Sequence, residues 1–200
     1  MKKMVLGLMV VTGLLGTSTV VANAADTDST GDVAFSSGTL SLSVDNTHLS
    51  FGKDTISAAD ATLNASTTPT VKVSDLRGTN AGWALTVAQG QQFNTKTDAS
   101  GSALTTAALT VVSTKVSSDS TVKTGNATLT PGTTTPGTTT SGTTTNGAAG
   151  TVASALAGDG NGISTFTFGS SNLYVPGATP KLAQGYTTTL TWNLGATPSN

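Results

Sequence analysis

Tyr186-Thr187-Thr188-Thr189-Leu190-Thr191-Trp192-Asn193-Leu194 alternates without a break. In an extended chain Tyr186, Thr188, Leu190, Trp192 and Leu194 fall on one side, and Thr187, Thr189, Thr191 and Asn193 on the other. Period-two alternation rich in Thr and aromatic residues marks a half-buried β-strand. The same signature recurs upstream. Leu40, Leu42 and Val44 alternate with Ser41 and Ser43, and Leu49 and Phe51 resume after the turn pair Asp45-Asn46. Val71 and Val73 flank Lys72, and Ala81, Trp83, Leu85 and Val87 share a face. Leu109 with Val111, and Phe166 with Phe168, give two more strands. Gly101 to Ala108 is the best candidate for a short helical turn, and no stretch of a dozen residues has helical amphipathic spacing. The pattern predicts an all-β chain, a single antiparallel β-sandwich or barrel-like domain.

Composition agrees. Of 200 residues only 10% are charged, against about 25% in an ordinary globular domain. Thr fills much of the gap, at about a fifth of the chain, and every acid is Asp. Long amphipathic helices draw on Glu, Lys and Arg for their wet face, whereas β-branched Thr and Val suit a pleated surface. A formal net charge of −1 without a basic cluster argues against nucleic acid as a partner. Cysteine is absent, which excludes disulfides, thiolate metal sites and a Cys nucleophile.

Residues 1–24 read as a secretory signal peptide. Lys2 and Lys3 precede an apolar run from Met4 to Leu15, and Ala22-Asn23-Ala24 is a small-x-small cleavage site. The run is well short of the roughly 20 residues that span a bilayer, and no second run of spanning length follows, so no transmembrane segment is expected in the mature chain. Removing Lys2 and Lys3 from the nine basic residues leaves seven against ten Asp, a net −3 for residues 25–200. Gly195 to Asn200 shows no hydrophobic tail and no LPxTG sorting signal. The expectation is a secreted protein without a covalent tether.

From about 131 to 150 the chain reads PGTTTPGTTTSGTTTNGAAG, a five-residue near-repeat. It holds no large apolar group to offset its ordering entropy. Strands precede and follow it, so it reads as a disordered Thr-rich loop inserted in one domain, 25–200.

Catalytic signatures are missing. There is no GxSxG, SxxK, HExxH or Walker loop, and His48 is the one histidine. Gly158-Asp159-Gly160-Asn161-Gly162 offers a single carboxylate and no closing Glu, so it reads as a glycine-rich turn and not a calcium loop. For a glycosidase, which needs two spaced carboxylates, only Asp75 with Asp60 or Asp98 come forward. The sequence predicts no enzyme, no cofactor and no metal.

The two tryptophans occur in one pattern, Trp83-Ala84-Leu85 and Trp192-Asn193-Leu194. Asp75-Leu76-Arg77-Gly78 stands shortly before the first, and Tyr186-x-x-x-Leu190-Thr191 leads into the second. Both motifs, in this order and with an export signal, resemble the WxL-domain surface proteins of Gram-positive bacteria. The resemblance covers essentially the whole of 25–200, with the Thr-rich stretch as an insertion. It implies a non-catalytic protein of the cell wall and cell surface, attached non-covalently through peptidoglycan. It equally admits a structural or adhesive subunit that binds a membrane-anchored WxL-interacting protein or other WxL-locus surface proteins.

The residues singled out for ligand binding are Trp83, Leu85, Trp192, Leu194, Asp75, Arg77 and Tyr186. Trp and the Leu two places on share a strand face, and the two indoles are read either as core or as a platform for sugar rings. Trp83, mid-sequence with Val71 and Val73 upstream, stands nearer the core, and Trp192, near the C-terminus, nearer the surface. Asp75 and Arg77 form either a bidentate structural pair or a polar ligand contact.

Overall fold

The structure is a computed structural model that describes residues 30–97, 100–135 and 143–198. The signal-peptide reading of 1–24 lies outside the described residues. Two compact units are distinguished. Of the first, Met1–Phe35, residues 30–35 are described, as exposed chain without a strand. The second, Ser36–Asn200, carries all the strands.

These are β1 (Leu40–Asp45), β2 (Ala61–Asn64), β3 (Thr70–Asp75), β4 (Trp83–Gln89) and β5 (Ala108–Val112). Then come β6 (Thr114–Ser118), β7 (Lys123–Thr124), β8 (Asn126–Leu129), β9 (Thr133–Thr135) and β10 (Thr143–Thr145). The last are β11 (Gly150–Ala155), β12 (Gly162–Thr167), β13 (Asn172–Val175) and β14 (Leu190–Gly195). They form three four-stranded sheets, β1-β3-β12-β6, β14-β4-β11-β7 and β2-β13-β5-β8, and the ribbon β9-β10. Every ladder between them is antiparallel. The arrangement is sandwich-like, with no closed barrel and, among the described residues, no helix.

The core lies where the inner faces meet. Val71 and Val73 of β3 and Phe166 of β12 are fully buried, as are Trp83, Leu85 and Val87 of β4. Leu109 and Val111 of β5, with Leu173 and Val175 of β13, continue it beneath the third sheet. In β3 the alternation is complete, with Val71, Val73 and Asp75 inward and Lys72 outward.

Two expectations are corrected. Gly101 to Ala108 is not helical. Ala103 bridges Asn94, Leu104 N donates to Phe93 O and Ala107 N to Leu104 O, so one tight turn leads straight into β5. Leu104 and Ala107 are buried, and the segment is held by that burial. The disorder expected through 131–150 does not reach its described ends. Thr133–Thr135 and Thr143–Thr145 pair residue for residue, with a Thr134–Thr144 hydroxyl bond of 2.9 Å. At the root Gly132 N donates to Gly90 O and Gly147 N to Gln89 O. β-Branched Thr opposite Thr is a stabilising cross-strand pair, and the ladder supplies the hydrogen bonds that a bare polar tract lacks. Residues 136–142 lie outside the described set.

Candidate functional site

β4 and β14, the two Trp-x-Leu strands, are direct neighbours. Leu194 stands opposite Leu85, Trp192 opposite Val87 and Leu190 opposite Gln89. Opposed residues share a sheet face, so both motifs present their Trp and Leu to the same interior. The nine-residue alternation holds in its burial throughout, with Tyr186, Thr188, Leu190, Trp192 and Leu194 half-buried and the residues between them exposed. The ladder itself begins only at Leu190. Before it, Thr187 and Asn94 exchange backbone bonds of 2.8 and 2.9 Å, and Thr188 Oγ1 donates to Gln91 O at 2.6 Å.

The two indoles sit differently. Trp83 has no exposed surface. Its Nε1 donates to Gly160 O at 3.0 Å, and its ring meets Phe166 edge-on, centroids 6.1 Å apart. Gly160 has φ 81°, and a Cβ there would lie 2.5 Å from Trp83 Nε1, so glycine is required for the loop to close over the indole. Trp192 is half-buried and lies 4.7 Å from Phe168, tilted by 55°. Phe166 and Phe168, spaced by two, thus receive one tryptophan each. Leu85 is fully buried and Leu194 half-buried beside it. Gln89 ends the same face of β4, buried, with neither side-chain polar atom hydrogen-bonded. That leaves this end of the core less favourable than an apolar residue would.

Asp75 and Arg77 form a clasp. Arg77 Nε donates to Asp75 Oδ1 at 2.9 Å and Nη2 to Asp75 Oδ2 at 2.8 Å, a bidentate pair. Nη2 also reaches Gly82 O at 2.7 Å, and Nη1 reaches Ala196 O at 2.9 Å. One side chain therefore binds the end of β3, the residue before Trp83 and the chain just past Leu194. Gly78, with φ 68°, turns the chain away after it. The carboxylate is almost wholly buried, and the guanidinium 17% exposed. The hydrogen bonds from Arg77 hold the Asp75 carboxyl below the usual carboxylate range against the opposing pull of burial, and the same bonds raise Arg77. The geometry is that of a structural ion pair.

Tyr186 is placed apart from the indoles. Its hydroxyl accepts from Leu182 N at 2.7 Å, and its ring lines a groove of about 1020 Å³. The groove runs between residues 47–57 and residues 181–188 over Leu63, Leu109 and Leu173 of the third sheet. Sequence reasoning missed it, because alternation marks which residues of each wall turn inward but not that residues 47–57 and 181–188 face each other across more than a hundred positions.

Neither described carboxylate of the glycosidase pairings is a raised-pKa acid. Asp60 accepts from Gly177 N at 2.8 Å and from Tyr174 Oη at 2.7 Å, which lowers it. Asp75 is held in the clasp, and Asp98 lies outside the described residues. Among the described residues no three His, Cys, Asp or Glu side chains cluster to hold a metal, and no helix is long and apolar enough to cross a membrane.

A family model described as WxL domain, surface cell wall-binding, matches residues 19–198, and so includes both Trp-x-Leu strands and the clasp. No curated protein and no solved structure matches the chain.

Proposed function

The chain belongs to the WxL family of surface cell wall-binding domains, and from that premise we propose that it is exported and held non-covalently on the Gram-positive wall through peptidoglycan, without catalysing a reaction. The family is one of wall binding, not of enzymes. The observation that carries the reading is the match over 19–198 to a wall-binding family by a chain whose two motif strands are neighbours under one arginine clasp. Export is supported by the leader at 1–24, with Lys2, Lys3 and the Ala22-Asn23-Ala24 site. Asp60 and Asp75 give no support to a glycosidase reading, since hydrogen bonds lower both carboxyls and a general acid must hold its proton near neutral pH.

In this reading Trp83, Leu85 and Asp75 act by building the domain, because they offer a ligand almost no surface. Trp192, Leu194, Arg77 and Tyr186 retain some. Sedimentation of the purified protein with bare sacculi is the test. The protein is expected in the pellet with sacculi and in the supernatant without them. Failure to sediment, together with capture by the ectodomain of a companion surface protein, would replace wall attachment by the subunit reading.

A further inference from the structure

The groove over the third sheet is a built feature. One lip is residues 47–57 and the other 181–188. Lys181 ties them together. Its Nζ reaches Ser57 O at 3.3 Å on the opposite lip, and Pro176 O, Gly177 O and Thr179 O at 3.1, 3.1 and 3.2 Å. The Tyr186 hydroxyl pins the second lip through Leu182 N. Asp60, held by Tyr174 and Gly177, fixes the chain just beyond the first. The width of the opening is therefore set before any ligand arrives, and pre-organisation lowers the entropic cost of binding.

Its chemistry is specific. The apolar lining is aliphatic at Leu63, Leu109 and Leu173 and aromatic at Phe51 and Phe93, whose rings meet edge-on with centroids 6.2 Å apart. A large apolar side chain stands half in water on each lip, Ile56 at 53% and Leu182 at 47% exposed. The polar groups along the rim are mostly neutral hydroxyls and amides such as Ser50, Thr55, Gln184 and Thr187, with His48, Lys53, Asp54 and Lys181 among them. Lys53 is followed at once by Asp54, and Lys181 is engaged by four carbonyls. The single arginine of the chain is in the clasp. A polyanion would need free cations in bidentate or clustered array, and this groove does not provide them. A neutral polymer with apolar faces and hydroxyl and amide edges matches it. At about 1020 Å³ the volume lies at the upper end of ligand clefts, which run about 300–1000 Å³, so more than one sugar ring fits.

We propose that this groove, and not the surface of the Trp-x-Leu strands, receives the acetamido-sugar backbone of the wall glycan. Acetyl methyls and ring C–H faces lie on the Leu floor, and hydroxyls and amides meet the rim. The inference rests on the wall-binding reading and deepens it. It also divides the C-terminal motif, since all four of Tyr186, Leu190, Trp192 and Leu194 pack against the core but only Tyr186 and Leu190 also line the groove.

The test is amide chemical shifts of the full chain titrated with the tetramer of N-acetylglucosamine, with sacculus sedimentation run in parallel. Shifts are expected at residues 50–56 and 182–188, absent with a glucose tetramer, which lacks the acetamido group. Leu182→Asp is expected to weaken the tetramer at least about tenfold without lowering the melting temperature, because the residue is half exposed. Val116→Asp, at an exposed apolar residue of β6 away from the groove, is expected to bind as the wild type does. Sedimentation with sacculi but no tetramer shifts in the two lips overturns the groove and leaves wall binding standing. Tetramer shifts in the lips without sedimentation keep the groove as a sugar site and overturn wall attachment. Equal shifts from inorganic polyphosphate overturn the neutral-sugar assignment.

Discussion

Trp83 and Trp192 carry the same motif in unlike surroundings, and substitution separates them. Trp83→Ala empties a fully enclosed site and orphans the Gly160 carbonyl. Such a change costs about 3–5 kcal/mol, a large share of the about 5–15 kcal/mol that holds a domain together. The variant is expected to melt far below the wild type or fail to fold. Trp192→Ala removes a half-buried ring with one aromatic contact and is expected to cost about 1–2 kcal/mol. With the groove as the binding site, it still sediments with sacculi. Thermal melts and pelleting of the two variants decide this, and a Trp83→Ala protein that melts like the wild type contradicts the core assignment. The clasp makes a second demand at this scale. The Asp75 carboxyl is lowered in the folded chain by the Arg77 hydrogen bonds. Its contribution is therefore complete above the unfolded value near about pH 4 and is lost as pH falls through the lower folded value. Melting temperature is expected to stay level from neutral pH down to about pH 4 and then to drop. Asp75→Asn is expected to melt lower at neutral pH and with a shallower acid slope. Equal slopes in the two proteins would remove the clasp as the source.

At the scale of strands, the Thr ribbon invites deletion. Thr133–Thr135 and Thr143–Thr145 pair with each other, while the bonds to the rest of the sheet come from Gly132, Asn146 and Gly147 at its root. Joining Gly132 directly to Asn146 keeps those anchors and removes a two-stranded ribbon that is marginal by itself. The melting temperature of the shortened chain is expected to stay within a few degrees, about 1 kcal/mol or less, and a collapse in a thermal scan would mean that the ribbon packs. The same element shows where sequence was readable and where it was not. Strands β1, β3, β4, β5, β12 and β14 were legible because large apolar side chains alternate with polar ones. β11 was not, because its buried run is Val152, Ala153, Ser154 and Ala155. Small residues inward on both faces leave no period to detect. β2 and β8 mix Asn, Thr and Ala with a single Leu, too few large side chains for a pattern, and in β13 Leu173, Tyr174 and Val175 follow one another without a polar residue to mark the alternation. The pairing of the two motif strands was readable only as shared residue types. Their adjacency depends on a ladder between residues more than a hundred apart in sequence. The three-way reach of Arg77 was half visible, since Asp75 lies two residues away and Ala196 at the far end of the chain.

For the whole molecule, charge decides how it is expected to hold the wall. The chain has a formal net charge of −1 with 10% charged residues. On the proposed export, losing Lys2 and Lys3 with residues 1–24 would leave seven basic and ten acidic residues, a net −3. Among the described residues the arginine is paired, and the groove adds no cluster of free cations. A net-negative protein is not drawn to anionic wall polymers over long range. On the proposed reading, attachment rests on short contacts with a neutral sugar chain, apolar faces on Leu and hydroxyls on Thr, which salt does not screen. Raising ionic strength shortens the Debye length from about 8 Å at physiological salt to about 3 Å at 1 M. That change weakens an electrostatic adhesive steeply and a neutral contact hardly at all. The fraction of protein pelleting with sacculi is accordingly expected to change by less than about twofold up to 1 M sodium chloride. Urea or guanidinium, which solvates apolar and peptide groups alike, is expected to release it. Elution by salt alone would mean that surface charge carries the attachment and that the groove does not. Release only after muramidase digestion, with chaotrope without effect, would mean a covalent tether.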